Sequence, residues 1–368
     1  MSGKIIRIKK MLAAFGEAFD CWNTARGERR LLKKKEKLFA DVQLSVEQNA
    51  AIDDLFGKNR VNHDWHRLFT SFTGKFDPTY IPGDVYIYIE RALNDLRQKR
   101  VLSDKNLQFS LFSGLERAHS PCRCPRRILS CVNDVFVTED GDFKQKTEAV
   151  SYLADVGDVV VKATIDTSSG RDVCVCDFHD GVDVKSAKSV QEIMERVGMH
   201  NFIVQEKVRQ SATMARIYPK SVNTFRVISY LLDGECHIAP VIMRMGRRGA
   251  EVDNVHFGGI FIAVNSDGTL GKTAFTEYQE RLDTHPDTGI VFAQESLPYY
   301  PKLVETARLL HSCVPLLGIV SWDLCIDDNE KVVLIEANTL AQSMWLPQIA
   351  HGCGVFQENT ERILGLLR

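Results

Sequence analysis

KVVLIEAN, residues 331–338, is a short apolar run that ends by presenting Glu336 and Asn338. Its Val, Val, Leu and Ile suit a strand buried in a core. Side chains two apart on a strand share a face, so the Glu336 carboxylate and the Asn338 amide point into the same space. A carboxylate there is costly unless something positive meets it, and an Arg, a Lys or a metal ion each answers that need. The whole stretch SWDLCIDDNEKVVLIEAN, residues 321–338, reads as two strands joined at Asp328-Asn329, a good turn pair. A symmetric turn there sets Asp323 opposite Leu334 and Ser321 opposite Glu336. Asp323 and Glu336 are then diagonal neighbours on one face, about 7–8 Å apart. With Asn338 they make a row of hard oxygen donors, suited to Mg2+ or Mn2+ shared with phosphates.

Other polar handles precede the hairpin. DVVVK, residues 158–162, is a buried-type strand that surfaces at Lys162 and runs into a loop holding Ser168, Ser169 and Gly170. Small residues let backbone N–H groups approach phosphate oxygens, and a nearby lysine adds a point charge. The loop is neither a Walker A loop nor a GxGxxG turn. NFIVQEKV, residues 201–208, is a further apolar strand. As a link between two lobes, its Glu206–Val208 backbone reads an adenine edge, with Gln205 and Glu206 beside it. SVNTFRV, residues 221–227, plants Arg226 in a strand, where a guanidinium grips a carboxylate or phosphate with two bonds. RMGRRGAEVDNVHFGGI, residues 244–260, gathers Arg244, Arg247 and Arg248 near Asp253, Asn254, His256 and the Gly258-Gly259 pair. His256 is a candidate base, although a lone histidine more often serves structure.

Taken in order, a strand-end Lys, a Ser/Gly loop, a QE hinge, an Arg, an N-x-H-x-G-G stretch and a D…E-x-N pair resemble the ATP-grasp superfamily. FDPTYIPGDVY, LSDKN, SVNTFRV, RMGRRGAEVDN, HFGGI, HPDTG and SWDLCI…LIEAN are similar to the sugar-transfer-associated ATP-grasp proteins, over about residues 70–350. The resemblance implies an α+β ATP-grasp fold, two lobes clasping ATP, preceded by a mostly helical N-terminal region. It implies that Lys162 and Ser168, Ser169 and Gly170 meet the phosphates, and that Gln205, Glu206, Lys207 and Val208 hold adenine. Asp323, Glu336 and Asn338 would bind Mg2+ or Mn2+, with Arg226, Arg244 and Asn254 as catalytic residues. The superfamily's upstream phosphate-binding lysine has no clean match, Arg126 and Arg127 being the nearest candidates. The loop DTSSGRD is less glycine-rich than in many relatives, and TLAQS after LIEAN lacks a Gly-Pro type tail.

The implied activity is an ATP-dependent carboxylate–amine ligase working through an acyl-phosphate, with an amino acid, amino sugar or peptide as substrates and a place in polysaccharide or cell-surface biosynthesis. Two rivals are a phosphotransferase acting on a hydroxyl and a nucleotide-binding scaffold without chemistry.

Composition sets outer bounds. At 368 residues, 44% hydrophobic and 26% charged, the chain suits a soluble globular protein of two or three domains or lobes and excludes a disordered class. The expected divisions are a helical region over 1–115, a smaller nucleotide lobe over 116–208 and a larger catalytic lobe over 209–368. Residues 1–40 hold eleven Lys/Arg against four Asp/Glu, and the remainder is acidic overall. The basic share peaks in RGERRLLKKKEK, residues 26–37, either a solvated helix face or a docking surface for an anionic partner such as lipid headgroups. Nothing else on the chain supports nucleic acid. No run approaches the ~20 apolar residues of a membrane span, and MLAAFGEAFD is too broken for a signal-peptide core. A cytoplasmic location with reduced cysteines is expected. Cys122/Cys124 and Cys174/Cys176 have the wrong spacing for a zinc site, and the latter pair reads as small apolar residues on one strand face.

Overall fold

The apolar runs DVVVK, NFIVQEKV and SVNTFRV and the terminal hairpin become strands, and the cores they build explain their residue choice. In this computed structural model residues 2–367 are described, except 95, 119–120, 165–172, 199 and 341, with backbone alone for 2–15, 96–97, 101 and 116–118. Among the described residues the strands form two sheets. The smaller has seven antiparallel strands in the order Phe143–Lys144, Val135–Thr138, Arg127–Val132, Asn201–Glu206, Gly157–Ala163, Val173–His179, Val182–Asp183. Helices Lys146–Leu153 and Val190–Arg196 seal it, packing Ala149, Leu153, Ile193 and Met194 on Leu129, Val159, Val161 and Phe202. Cys174 and Cys176 serve in that core as small apolar side chains.

The larger sheet has nine strands. Its main order is Cys122–Arg123, Val332–Asn338, Ile319–Ile326, Thr224–Leu232, Val241–Met245, Ile260–Val264, Ala274–Phe275, Arg281–Leu282, with Glu235–Ile238 pairing Thr224–Leu232. Cys122–Arg123 lies in the stretch expected to open the smaller lobe, yet it hydrogen-bonds in parallel to Val332 and Val333 at the edge of the larger sheet. Helix Tyr300–Ser312 covers one face, setting Leu303, Ala307 and Leu310 against Val320, Trp322 and Leu324. Its first turn carries Pro301, at a position where a missing N–H costs nothing.

The N-terminal helices cover part of the opposite face. Asp64–Thr73 buries Trp65, Phe69 and Phe72 with Ile242, Phe261 and Phe275. Gly83–Leu93 lays Tyr86 and Ile89 on Ile228, Tyr230 and Ile319. The helical region is thus a layer sharing the sheet's hydrophobic core. Where these helices stop, the face stays open under Lys162 and Val173 of the smaller sheet, and the opening is a cleft of about 650 Å³.

Candidate active site

The terminal hairpin departs from the symmetric register, and the departure builds the site. Its turn has three residues rather than two: Asp327 N–H donates to Lys331 O, and Glu330 sits in the left-handed region at φ 60°. Asp327 Oδ1 holds the turn by accepting from the N–H groups of Asn329 and Lys331. Leu324 then faces Leu334, but the next pair is Asp323 with Glu336, so Ile335 is bulged out. The longer turn and the bulge correct the expected pairing, Asp323 with Leu334 and Ser321 with Glu336. A bulge sends two successive side chains to one side. Leu334 therefore joins the core with Val332 and Leu324, while Ile335 and Glu336 line the cleft. Asp323 stands directly across from Glu336, and Asn338 Nδ2 donates to Asp323 Oδ2 at 3.1 Å.

The positive partner expected for Glu336 is a lysine, Lys105, and arginines meet the Asp323 carboxylate. Arg226, opposite Asp323 on the neighbouring strand, donates Nε to Oδ1 at 3.0 Å and Nη2 to Oδ2 at 2.9 Å. Arg244 Nη2 reaches the same Oδ2 at 3.0 Å and Asp253 at 3.1 Å. Burial alone would raise the Asp323 pKa, but the charges of Arg226 and Arg244 hold it below the ordinary carboxylate value. Burial likewise opposes the charge on Arg244, which Asp253, Asp323 and Glu336 restore.

Two lysines complete the cleft. Lys105 Nζ pairs with Glu336 at 3.1 Å, and Lys162 Nζ donates to Gln205 Oε1 at 3.2 Å. Burial lowers the Lys162 pKa, Glu336 pulling it back up and Lys105 adding to the fall. A lysine so placed gains from any polyanion that enters. Nothing in the sequence marks Lys105 as a phosphate ligand, although it stands in LSDKN, one of the stretches that carry the family resemblance. Its helix, Lys105–Phe112, is tied to the hairpin by Gln108, which accepts from Ala337 N–H at 2.9 Å and donates to Ala337 O at 2.7 Å. The expected substitutes for an upstream lysine lie elsewhere. Arg126 pairs with Glu139, and Arg127 stacks over Phe109 at 5.2 Å, both lining a separate cavity of about 900 Å³. Neither enters the cleft.

The remaining expected residues divide. Gln205 is buried beside Lys162, and Val208 packs with Cys325 and Val333 next to Ile335. The Glu206 carboxylate turns to Arg123 at 2.5 Å in the second cavity, and Lys207 pairs with Asp158 at 3.2 Å. Asn254 lines the cleft, its Oδ1 capping the turn Val255–Phe257 through His256 N–H at 2.9 Å. Ser168, Ser169 and Gly170 lie outside the described residues.

His256 is better supported than a lone histidine. Its Nδ1 meets Glu277 Oε2 at 2.7 Å, and Glu277 also pairs with Lys35 Nζ at 3.1 Å, the ammonium lying 5.0 Å over the Trp345 ring. Burial would raise the Glu277 pKa, but the His256 hydrogen bond and the Lys35 charge bring it down to about 2. A carboxylate depressed in the folded state stabilises above its unfolded pKa and loses that contribution as pH falls toward the folded value. Urea unfolding should therefore show a loss of about 3 kcal/mol from this group between pH ~5 and pH ~2. Glu277→Gln should flatten that slope; an unchanged slope means the Lys35–Glu277–His256 link carries no stability.

The donor set suits a hard divalent cation. Glu336 is 32% exposed toward the cleft, Asn338 stands beside it, and Asp323 Oδ1 accepts one hydrogen bond where Oδ2 accepts three. A lone pair thus remains on Oδ1. Among the described residues no group of three or more His, Cys, Asp or Glu gathers around a metal-sized site, so the set is two carboxylates and an amide.

The family description "sugar-transfer associated ATP-grasp" matches residues 87–363. The chain belongs to that ATP-grasp family. Solved structures similar to this ATP-grasp protein include a D-Ala:D-Ser ligase from Enterococcus faecalis, 12% identical over 73% of this chain and 62% of its own, at a TM-score of 0.43. An L-amino acid ligase from Bacillus licheniformis is 11% identical over 72% and 48%, at a TM-score of 0.38. An N5-carboxyaminoimidazole ribonucleotide synthetase in its ADP complex is 15% identical over 64% and 44%, at 0.36. This chain spans less than two thirds of each of those proteins. Comparison with curated proteins found no match. Among the described residues no helix is long and apolar enough to cross a membrane.

Proposed function

We propose that this ATP-grasp protein is an ATP-dependent carboxylate–amine ligase that forms an amide through an acyl-phosphate. The observation that carries the reading is the meeting of Glu336 and Asn338 with Lys105 and Lys162 in one cleft, beside Arg226 and Arg244. Lys105 and Lys162 hold the ATP phosphates, with Ser168, Ser169 and Gly170 closing over them. The Glu206–Val208 backbone reads adenine, and Val208 and Ile335 give its ring an apolar seat. Glu336, Asn338 and Asp323 Oδ1 would hold Mg2+ or Mn2+, which supplies charge neutralisation at the outer phosphates. The smaller lobe is 116–208, apart from the edge strand Cys122–Arg123 that joins the larger sheet, and the larger is 209–368, hinged at Gln205–Val208.

Arg226 and Arg244, fixed by Asp323 and Asp253, stabilise the transferred phosphoryl group, and Asn254 orients the acceptor. A substrate carboxylate oxygen attacks the γ-phosphorus and ADP leaves; an amine then attacks the acyl carbon and phosphate leaves. Positioning and fixed charge supply such catalysis, so no covalent protein nucleophile is required. The acid and amine are small molecules, drawn from amino acids, amino sugars and peptides. The family's description supports a place in polysaccharide or cell-surface assembly, on the cytoplasmic side where ATP is supplied.

Panels of acids and amines, screened in pairs for ADP release, test the reading. With the acid's carboxylate labelled by heavy oxygen, the ligase passes label into the released phosphate. A phosphorylated product with unlabelled phosphate identifies a hydroxyl phosphotransferase instead. MgATP binding with no ADP release from any pair identifies a scaffold.

A further inference from the structure

We propose that the exposed arc of the N-terminal helix docks this protein on an anionic phospholipid surface. Helix Ser2–Lys34 has 33 residues, which makes it about 50 Å long at 1.5 Å per residue. Ala25 and Leu32, one stripe of it, are buried, and the helix runs along Gly83–Leu93 with Arg29 pairing to Asp84. At 100° per residue, Phe19, Trp22, Arg26, Arg30 and Lys33 fall within one arc of about 80° that flanks the buried stripe and turns away from it, and all five are exposed.

The arc has two chemical halves. Phe19 is 53% and Trp22 45% exposed, their rings stacked at 6.0 Å. The Arg26 guanidinium lies 5.4 Å over the Trp22 ring, and Arg30 and Lys33 extend the positive charge toward the helix end. Upstream, the sequence keeps the same spacing with Leu12 and Phe15. Large aromatic side chains left in water beside a cationic row match the headgroup region of a bilayer, where rings bury among acyl chains and cations meet phosphates. The surplus of positive charge in residues 1–40, on a chain otherwise acidic, gives the charge complementarity to an anionic leaflet. Nucleic acid fits less well, because Phe19 and Arg26 already occupy the Trp22 ring that a base would stack upon. The helix leads into Lys35, which pairs with Glu277 beside the cleft, so a docked helix sets the cleft mouth near the bilayer. The proposal stands apart from the ligase reading, since it rests on no cleft residue.

The test uses the full chain with mixed phosphatidylcholine–phosphatidylglycerol vesicles, and with phosphatidylcholine vesicles alone. Expected results are co-sedimentation with the mixed vesicles, at least about tenfold weaker binding to phosphatidylcholine, and release by high salt. Tryptophan emission should shift to the blue, because Trp22 is exposed, while Trp65 and Trp322 are buried and Trp345 is half-buried in the cleft. Trp22→Phe should remove the shift and keep binding. The combined Arg26→Gln, Arg30→Gln and Lys33→Gln variant, its melting curve unchanged, should lose binding at least about tenfold. Three results overturn the proposal: no sedimentation, binding indifferent to the triple variant, or vesicle-independent pairing of this arc with a second copy or an oligonucleotide.

Discussion

Glu336→Gln should cut ATP turnover by at least about 100-fold, equivalent to roughly 3 kcal/mol or more in the barrier, while its melting temperature stays close to that of the parent. The carboxylate points into the cleft, a third exposed, and its protein partner is the ammonium of Lys105 rather than a buried group. Losing its charge leaves the hairpin's packing alone, because Leu334, Val332 and Ala337 on the other side carry the core contacts. What it removes is the charged oxygen donor of the row proposed to hold the nucleotide's cation. The measurement is ADP release in the paired-substrate assay, alongside titration of MgATP binding. Turnover within tenfold of the parent would end the assignment of Glu336 to the nucleotide's cation.

Asp323→Asn should behave differently, with activity and stability falling together. Asp323 is 3% exposed and faces Arg226, itself 6% exposed, with Arg244 against the same oxygen. Removing one member of a buried ionic group leaves charge without compensation, at a cost of about 3–5 kcal/mol. Thermal unfolding should start roughly 5–10 °C lower. A melting temperature within two degrees or so would show that the arginines find other partners and that the Asp323 charge does not hold these strands. The contrast between the two variants separates the parts of the row: Glu336 is placed for a ligand, whereas Asp323 is also part of the framework.

Much of this was legible in KVVLIEAN and its neighbours, for a local reason. Strand periodicity puts Glu336 and Asn338 on one face wherever the strand lies, and the need for a positive partner follows from burying a carboxylate. The register was not legible. It depends on where Leu334 and Ile335 find apolar neighbours, and only the assembled sheet sets Leu334 in the core and leaves Ile335 on the cleft floor. A turn lengthened by one residue and a one-residue bulge then bring Asp323 squarely opposite Glu336.

Lys105 shows the same limit more sharply. In the sequence it is one lysine in a polar helical stretch, more than two hundred positions from its partner, and nothing local separates it from a solvated residue. Arg126 and Arg127 sit nearer the strands and read as better candidates, yet their strand turns them into another cavity. His256 looks isolated in the sequence because its partners Glu277 and Lys35 come from distant segments.

The chain's own order of residues determined the kinds of strand and helix, the family to which it belongs and the hard-oxygen chemistry of the last hairpin. All of these follow from short-range periodicity and residue type. Tertiary structure alone decided which cations meet those oxygens, how the two final strands are offset, and that helix Lys105–Phe112 forms a wall of the cleft. Those outcomes depend on packing between segments far apart in the chain, where burial of apolar side chains selects one alignment and carries the charged groups with it.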